Sequence, residues 1–259
     1  MTAVETLHCP PRWPWHALAA FAVSQVLALG VWLWAGWAWG LCLLLASHAL
    51  FLLPVFLPNS RFYAPVVSRL PAAVDAVWLT IDDGPGPDTR RVLDLLDRHQ
   101  ARVTFFLVGE RALAQPELVR EIVARGHDLG NHSHTHPERR FWRLGATAMA
   151  AELGRCQYAL QALTGQPPRW YRSVVGMTNP FVAPLLRQHG LTRVGWSARG
   201  FDGVSCTPAQ VLARLAPDLR AGAIVLLHEG SAHGHNLTII EGVLQALDAR
   251  GLKALLPAE

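Results

Sequence analysis

Val77-Trp78-Leu79-Thr80-Ile81-Asp82-Asp83-Gly84-Pro85 is the stretch on which the reading of this chain turns. Val77–Ile81 is a short run, apolar but for Thr80, and reads as a buried strand. It ends in two adjacent carboxylates and a Gly-Pro turn. Downstream, His132-Ser133-His134-Thr135-His136 adds two imidazoles spaced i, i+4. A divalent metal with an open position for water needs about three protein ligands of this kind. A further group must then take a proton from that water, and the spare aspartate is a candidate. Asp-Asp-Gly-Pro by itself is ordinary turn chemistry, or the cap of the next helix, and histidine-rich loops are common. The two motifs together, in this order, point to a hydrolase.

From about Ala73 onward, short apolar runs alternate with amphipathic segments. Strands are expected at Val77–Ile81, Val103–Val108, from His127 towards His132, and at Trp170–Ser173, Thr192–Ser197, Ala223–Leu227 and Lys253–Leu256. Helices are expected at Asp88–His99, Pro116–Arg125, Leu144–Leu163, Pro180–His189, Pro208–Leu219 and Leu237–Arg250, with proline starts and glycine stops. This alternation implies an α/β fold with a mostly parallel sheet, open or closed into a barrel. Each suspected motif follows a strand, so all would meet at the carboxyl edge of the sheet.

Thr80–Pro85, Asn131–Pro137 and Leu226-Leu227-His228 resemble motifs of the polysaccharide deacetylases, the NodB-type enzymes of carbohydrate esterase family four. The resemblance runs from about Val77 to Leu256. It implies a distorted (β/α) barrel and metal-dependent removal of an N-acyl group from an amino sugar. Carried over position by position, it implies Asp83, His132 and His136 as ligands of a divalent metal, zinc first among the candidates. Asp82 would be the general base and His228 the general acid for the departing amine. A backbone N–H near Val175 would help hold the oxyanion. His134, His233 and His235 match no motif position, and Glu229 is expected to face solvent.

Two motifs depart from the family pattern. Where Arg-Pro-Pro-Tyr-Gly is usual, this chain has Arg172-Ser173-Val174-Val175-Gly176, which keeps an arginine able to pair with Asp82 and reshapes the substrate groove. Where Asp-x-x-Asp-Trp is usual, it has Arg199-Gly200-Phe201-Asp202-Gly203. Arginine replaces an aspartate expected to orient His228, and an Arg199–Asp202 ion pair is expected in compensation. Val175, Arg199, Asp202 and Leu227 are therefore candidate substrate or supporting residues. Ser197-Ala198-Arg199-Gly200 is also similar to a stretch of the aminoarabinose-lipid deformylases.

The N-terminal part is of another kind. From Trp15 to Leu57 there is no Asp, Glu, Lys or Arg. As one helix this stretch would be roughly 64 Å long, against a hydrocarbon core of about 30 Å, so two spans fit, near 16–35 and 38–57. It is too long for a signal peptide, and a buried soluble hairpin is the competing reading. Trp13 and Trp15 would mark one interface, and Trp32, Trp34, Trp37 and Trp39 the other. Arg12, Arg61 and Arg69 flank the pair on one side, while the turn between the spans is uncharged. The positive-inside rule then places the catalytic domain in the cytoplasm, on a bacterial-type inner membrane.

The expected organisation is a tail (1–14), a two-helix membrane anchor (15–57), a proline-containing linker (58–73) and a catalytic domain (74–259). Cys9, Cys42, Cys156 and Cys206 are too scattered for a metal or redox motif. A net charge of +4 with dispersed arginines gives no nucleic-acid stripe. No protein partner can be inferred. The expected partners are the bilayer and an N-acylated amino sugar, lipid-linked by preference because tethering raises effective concentration. An exported polysaccharide or peptidoglycan is the alternative substrate, and a sugar-binding pseudoenzyme the alternative of another class.

Overall fold

The computed structural model describes residues 7–71, 75–204 and 206–257. Residues 1–6 of the expected tail and the expected boundary at 73/74 lie outside them. Two antiparallel helices come first, α1 (His16–Ala35) and α2 (Trp37–Leu52), the latter continued by a 3-10 turn over Leu53–Phe56. Gly36 makes the reversal with φ +99°, in the region that favours glycine. Gly40 lies so close to the Trp32 backbone that any side chain there would clash. Ser24, Gln25 and Ser47 share hydrogen bonds between the helices, while the outward residues are large and apolar, Trp34 being 89% exposed.

The rest of the described chain is a curled parallel sheet under helices. Its elements are β1 (Ala76–Gly84), α3 (Thr89–Arg98), β2 (Thr104–Leu107), α4 (Gly109–Ala114), α5 (Pro116–Ala124), β3 (Asp128–Asn131), α6 (Ala146–Thr164) and β4 (Trp170–Tyr171). There follow α7 (Val182–Gln188), β5 (Thr192–Arg193), β6 (Ala198–Arg199), α8 (Pro208–Leu215), β7 (Ile224–His228), α9 (Asn236–Asp248) and β8 (Lys253–Ala254). The order across the sheet is β5-β4-β3-β2-β1-β7-β6, with β8 on β1. Every pairing is parallel, as the βα alternation requires. This is the distorted, incompletely closed barrel of the expected fold class.

Pleating explains the sequence of β1. Val77, Leu79 and Ile81 face the helices, packing with residues such as Val92, Leu96, Ile240 and Val243. Trp78 faces inward with Phe106, Trp170 and Ile224, its ring set edge-on to Trp170 at 4.9 Å. Truncating so large a buried side chain costs about 3–5 kcal/mol. Of the strand expected over Thr192–Ser197 only Thr192–Arg193 forms, as β5 at one edge of the sheet, and the chain then crosses to β6 at the other edge. Gly195 lies in the crossing between them, against the Asn59 side chain with no room for a Cβ.

Segment 58–71, expected as a linker, is built into the catalytic domain. Val67 pairs with Val194 just beyond β5, and Arg69 with Ala223 just before β7, so this strap spans the gap in the sheet. Asn59 donates to the Trp196 carbonyl (2.8 Å), and buried Arg193 donates to the carbonyls of Pro58 and Ser60 (2.7 and 3.0 Å). The other flank of the hairpin is held as well: Arg187 donates to the Arg12 carbonyl at 2.8 Å.

Candidate active site

The alternation that turns Trp78 inward also turns Thr80 and Asp82 inward, and Asp82 is 3% exposed. Asp83 would by the same rule face the helices. A register shift between Asp82 and Gly84 interrupts the pairing with β2, and Asp83 takes φ +72°, which brings its carboxylate back to the cleft. Aspartate tolerates this left-handed backbone better than most residues. The second motif is also loop rather than helix. Ser133 (φ +70°) and His136 (φ +54°) fold it so that both outer histidines reach the same point.

Asp83, His132 and His136 thus form a cluster whose ligand atoms all lie within 4.8 Å of one another. Asp83 Oδ1 is 3.5 Å from His132 Nε2 and 3.1 Å from His136 Nε2, and it has no hydrogen-bond donor. The Nδ1–H of His132 donates to the Arg172 carbonyl (2.8 Å), which leaves Nε2 with its lone pair towards Asp83. Burial first, then the neighbouring His136, pushes the His132 pKa down to about 3, so that ring is neutral. Lone pairs facing a carboxylate repel unless a cation lies between them. Donors held at about 2.1 Å from one ion are themselves roughly 3.0–3.4 Å apart, so this set fits a divalent metal.

Arg172 is fully buried beneath Asp82. One Nη donates to Asp82 Oδ1 and Thr80 Oγ1, both at 2.7 Å, and the other to the Gly195 carbonyl at 2.9 Å; the guanidinium also lies over the Phe106 ring at 4.2 Å. The expected Arg172–Asp82 pairing is therefore present. Removing the arginine would strand a carboxylate in the barrel interior.

His228 ends β7 at the position paired with Asp82 in the β1–β7 register, so the two candidate proton carriers sit side by side at the end of the sheet, and both line the cleft. Asp202 accepts from both the backbone N–H of His228 (2.7 Å) and its ring Nδ1 (2.9 Å). Burial lowers the pKa of this ring, but the hydrogen bond and charge of Asp202 outweigh it and carry the pKa up to about 9. The expected Arg199–Asp202 ion pair is not formed, because Asp202 turns both oxygens to His228. Arg199 instead stacks over the rings of Trp196 (5.1 Å) and Phe201 (4.5 Å). Asp202, the second acidic position of the motif, thus makes the contact with His228 that was expected of the position now held by Arg199.

Two further expectations need correction. Leu227 faces the helix layer and is fully buried there; by the pleat of β7 it is Leu226 that lines the cleft. Glu229 does not face solvent but is 1% exposed. Its Oε2 accepts from Thr89, whose Oγ1 accepts from the Gly86 N–H at 2.8 Å, and its Oε1 fills the space beside Gly84. Burial raises the Glu229 pKa to about 7. The Glu229–Thr89 contact braces the turn that carries Asp83. Sequence reasoning missed Thr89 because it reads as a helix-start threonine. It missed His233 because the contact of that ring with the Asp202 carbonyl (2.6 Å) is a loop-to-loop one.

The cleft over these groups has a volume of about 160 Å³, with Val175, Arg199 and Phe201 at its rim. Val175, at φ +53°, is 47% exposed, so the reshaped third motif presents an isopropyl group where the family pattern has tyrosine.

Comparison with known proteins points to one family. The family model described as polysaccharide deacetylase matches residues 70–194. The chain is 34% identical over 185 residues to a chitooligosaccharide deacetylase of Bradyrhizobium sp. (strain ANU 289), covering 71% of this chain and 84% of that one. It is 30% identical to a peptidoglycan-N-acetylglucosamine deacetylase of Listeria monocytogenes, covering 74% of this chain and 41% of that one. Among solved structures, a family 4 carbohydrate esterase from Streptomyces lividans in complex with acetate superposes with a TM-score of 0.64 at 31% identity. That match covers 72% of this chain and 94% of that one.

Proposed function

This chain belongs to the polysaccharide deacetylase family and is a carbohydrate N-deacetylase, and from that premise we propose that it uses zinc to remove an acetyl or formyl group from a lipid-linked amino sugar. The observation that supports the reading is an Arg172-held aspartate and an Asp202-held histidine at paired positions of β1 and β7, lining one cleft with the ligand cluster.

Asp83, His132 and His136 would hold the ion, which when bound supplies positive charge to polarise the acyl carbonyl and acidify a water. Asp82 takes the proton of the attacking water. Its Oδ1 is occupied by Arg172, so Oδ2, on the side of His132, is the oxygen left to accept. The water oxygen bonds to the acyl carbon, the C–N bond breaks, and His228 gives a proton to the departing nitrogen. Asp202 accepts from Nδ1, so the proton given up is the one on Nε2. The products are a carboxylic acid and a free amino sugar. Val175, at the rim, would border the acyl group.

The lipid-linked part of the reading is supported by the hairpin and its strap. Both flanks of α1 and α2 lie on the catalytic domain, as two membrane spans would require. The Val55 carbonyl accepts from the Thr178 N–H at 3.0 Å, close after the loop that carries Val175. Exposed Val175, Phe201 and Val204 give the cleft an apolar rim suited to an amphiphile. Arg12, Arg61 and Arg69 favour the cytoplasmic face of an inner membrane.

The test is incubation of the purified, zinc-loaded chain with a membrane glycolipid extract, read by mass spectrometry, with Asp82→Asn as control. Loss of acetyl or formyl mass with the wild type alone supports the proposal. Turnover confined to chitooligosaccharide or peptidoglycan would move the substrate to a polymer. Inactivity on all N-acyl sugars would leave a sugar-binding protein.

A further inference from the structure

Arg199 lines the cleft and, among the described residues, makes no direct ion pair, although the charges of Asp202 and Asp82 are near enough to act on it. Its Nε is buried with no acceptor, and among the described residues none of its side-chain nitrogens donates to the protein. A guanidinium has five donors and little tolerance for leaving them unpaired away from water. The neighbouring carboxylates are committed elsewhere: Asp202 to His228, Asp82 to Arg172, Asp83 to the histidine cluster and Glu138 beside His136. The face of the guanidinium is fixed by Trp196 and Phe201, and Phe201 is itself turned into place by a left-handed backbone (φ +61°). Stacking of this kind holds the plane and leaves the in-plane N–H edge for an acceptor. A second guanidinium, Arg214, approaches the same Phe201 ring at 5.9 Å while donating to the Gly200 carbonyl at 3.3 Å.

We propose that Arg199 binds a phosphate group carried by the substrate, so that the cleft selects N-acylated sugar phosphates over neutral N-acyl sugars. A planar guanidinium meets two phosphate oxygens with parallel N–H donors, which a neutral sugar cannot reproduce. This inference rests on the deacylase reading above and deepens it. The phosphate can come from a lipid-linked phosphodiester or from a free sugar phosphate, and the chemistry at Arg199 is the same for both.

The experiment uses the full chain, purified in detergent and loaded with zinc, on three probes: chitotriose, N-acetylglucosamine 1-phosphate, and that phosphate esterified to a short prenyl alcohol. With wild type, kcat/KM should be roughly 10- to 100-fold higher on the phosphorylated probes than on chitotriose, the range expected for charge-assisted hydrogen bonds. Arg199→Gln should collapse that ratio towards one, chiefly through KM, and Arg199→Lys should keep part of it. As a readout independent of any variant, raising sodium chloride from about 50 to 500 mM should raise the wild-type KM for the phosphorylated probes and not for chitotriose. A wild-type ratio near one, or an Arg199→Gln loss equal on all three probes, would overturn the anion site and leave the deacylase standing. No deacylation of any probe with zinc bound would overturn the deacylase reading and this inference together. A preference for the prenyl ester over the free phosphate assigns the lipid source, and the reverse assigns the soluble one.

Discussion

The carboxylate of Asp202 meets His228 twice, at its backbone N–H (2.7 Å) and at ring Nδ1 (2.9 Å), which fixes both the position of the imidazole and the proton it can release. Asp202→Asn should therefore lower kcat by about 10²- to 10⁴-fold, the contribution of a positioned general acid. The pH profile separates this from simple unfolding. As the proposed general acid His228 would work protonated, and Asp202 lifts its pKa to about 9 against the lowering effect of burial. A bound cation pulls that value down without removing the contribution of Asp202. In Asp202→Asn the alkaline limb of kcat should move to lower pH, and an unmoved limb would contradict the role assigned here. The sign for stability follows: the raised pKa favours the folded chain below about pH 6.5, and that contribution is lost as pH rises through about 9.

The buried Asp82–Arg172 pair predicts unequal costs for losing either partner. Arg172→Met leaves the carboxylate stranded and should destabilise by about 3–5 kcal/mol. Asp82→Asn should cost less, because Arg172 keeps Thr80 and the carbonyl of Gly195 as acceptors. The double variant should recover part of the Arg172→Met loss. Thermal unfolding of the three variants checks this order, and both variants carrying the Asp82 substitution should be inactive.

Alanine at Asp83, His132 or His136 should each reduce bound zinc at least tenfold, measured by metal analysis of protein after gel filtration. Glu138 contacts His136 Nδ1 at 3.4 Å from an exposed position, so Glu138→Gln should weaken zinc binding by no more than about tenfold. A chelator should abolish deacylation, and added zinc should restore it.

Glu229 should make the fold sensitive to alkali. Burial raises its pKa from 4.5 to about 7, so the folded chain holds a proton that the unfolded chain releases. Stability from this group is present below about pH 4.5 and is lost as pH rises through 7, by roughly 3 kcal/mol in all. Glu229→Gln keeps the shape and removes the ionisation. The difference in melting temperature between pH 5.5 and pH 8 should shrink in that variant, and an unchanged difference would show that Glu229 is ionised when folded.

The sheet and much of the candidate site were legible because β1 states them together: an apolar run that must be buried, then carboxylates that must lie where the strand ends. The Arg172–Asp82 contact was legible too, since a retained arginine needs a partner. What could not be read depends on the backbone. Asp83 reaches the cleft only through a bulge and a left-handed φ, and the strand expected at Thr192–Ser197 stops after Arg193 where the chain crosses the sheet against Asn59. The partner of Asp202 turned on geometry for the same reason, since a carboxylate beside an arginine in sequence is free to face elsewhere in space. Glu229 misled because a charged residue after a motif is usually solvated, and only the Thr89 contact explains its burial.

The strap gives a prediction about truncation. A chain beginning at residue 54 keeps the Thr178–Val55 contact, the Asn59 bridge and the Val67–Val194 pairing, and should fold with zinc bound. A chain beginning at residue 75 loses all three and leaves Arg193 without its two carbonyl acceptors. It should melt at least 10 °C lower or fail to accumulate, since a few kcal/mol shifts Tm by about 2–4 °C each in a domain of this size.

A tether of free chain would let a catalytic domain wander over a range of distances from its anchor. Here the segment after the hairpin is stitched across the open seam of the barrel, by Val67 and Arg69 pairing and by Asn59. On the membrane reading proposed above, such a strap would hold the cleft at one height over the bilayer, and a sugar one unit from the surface and a sugar many units out along a polymer would not be equally within reach. Lengthening the strap would then change which residue of a glycan is deacylated before it changed how fast.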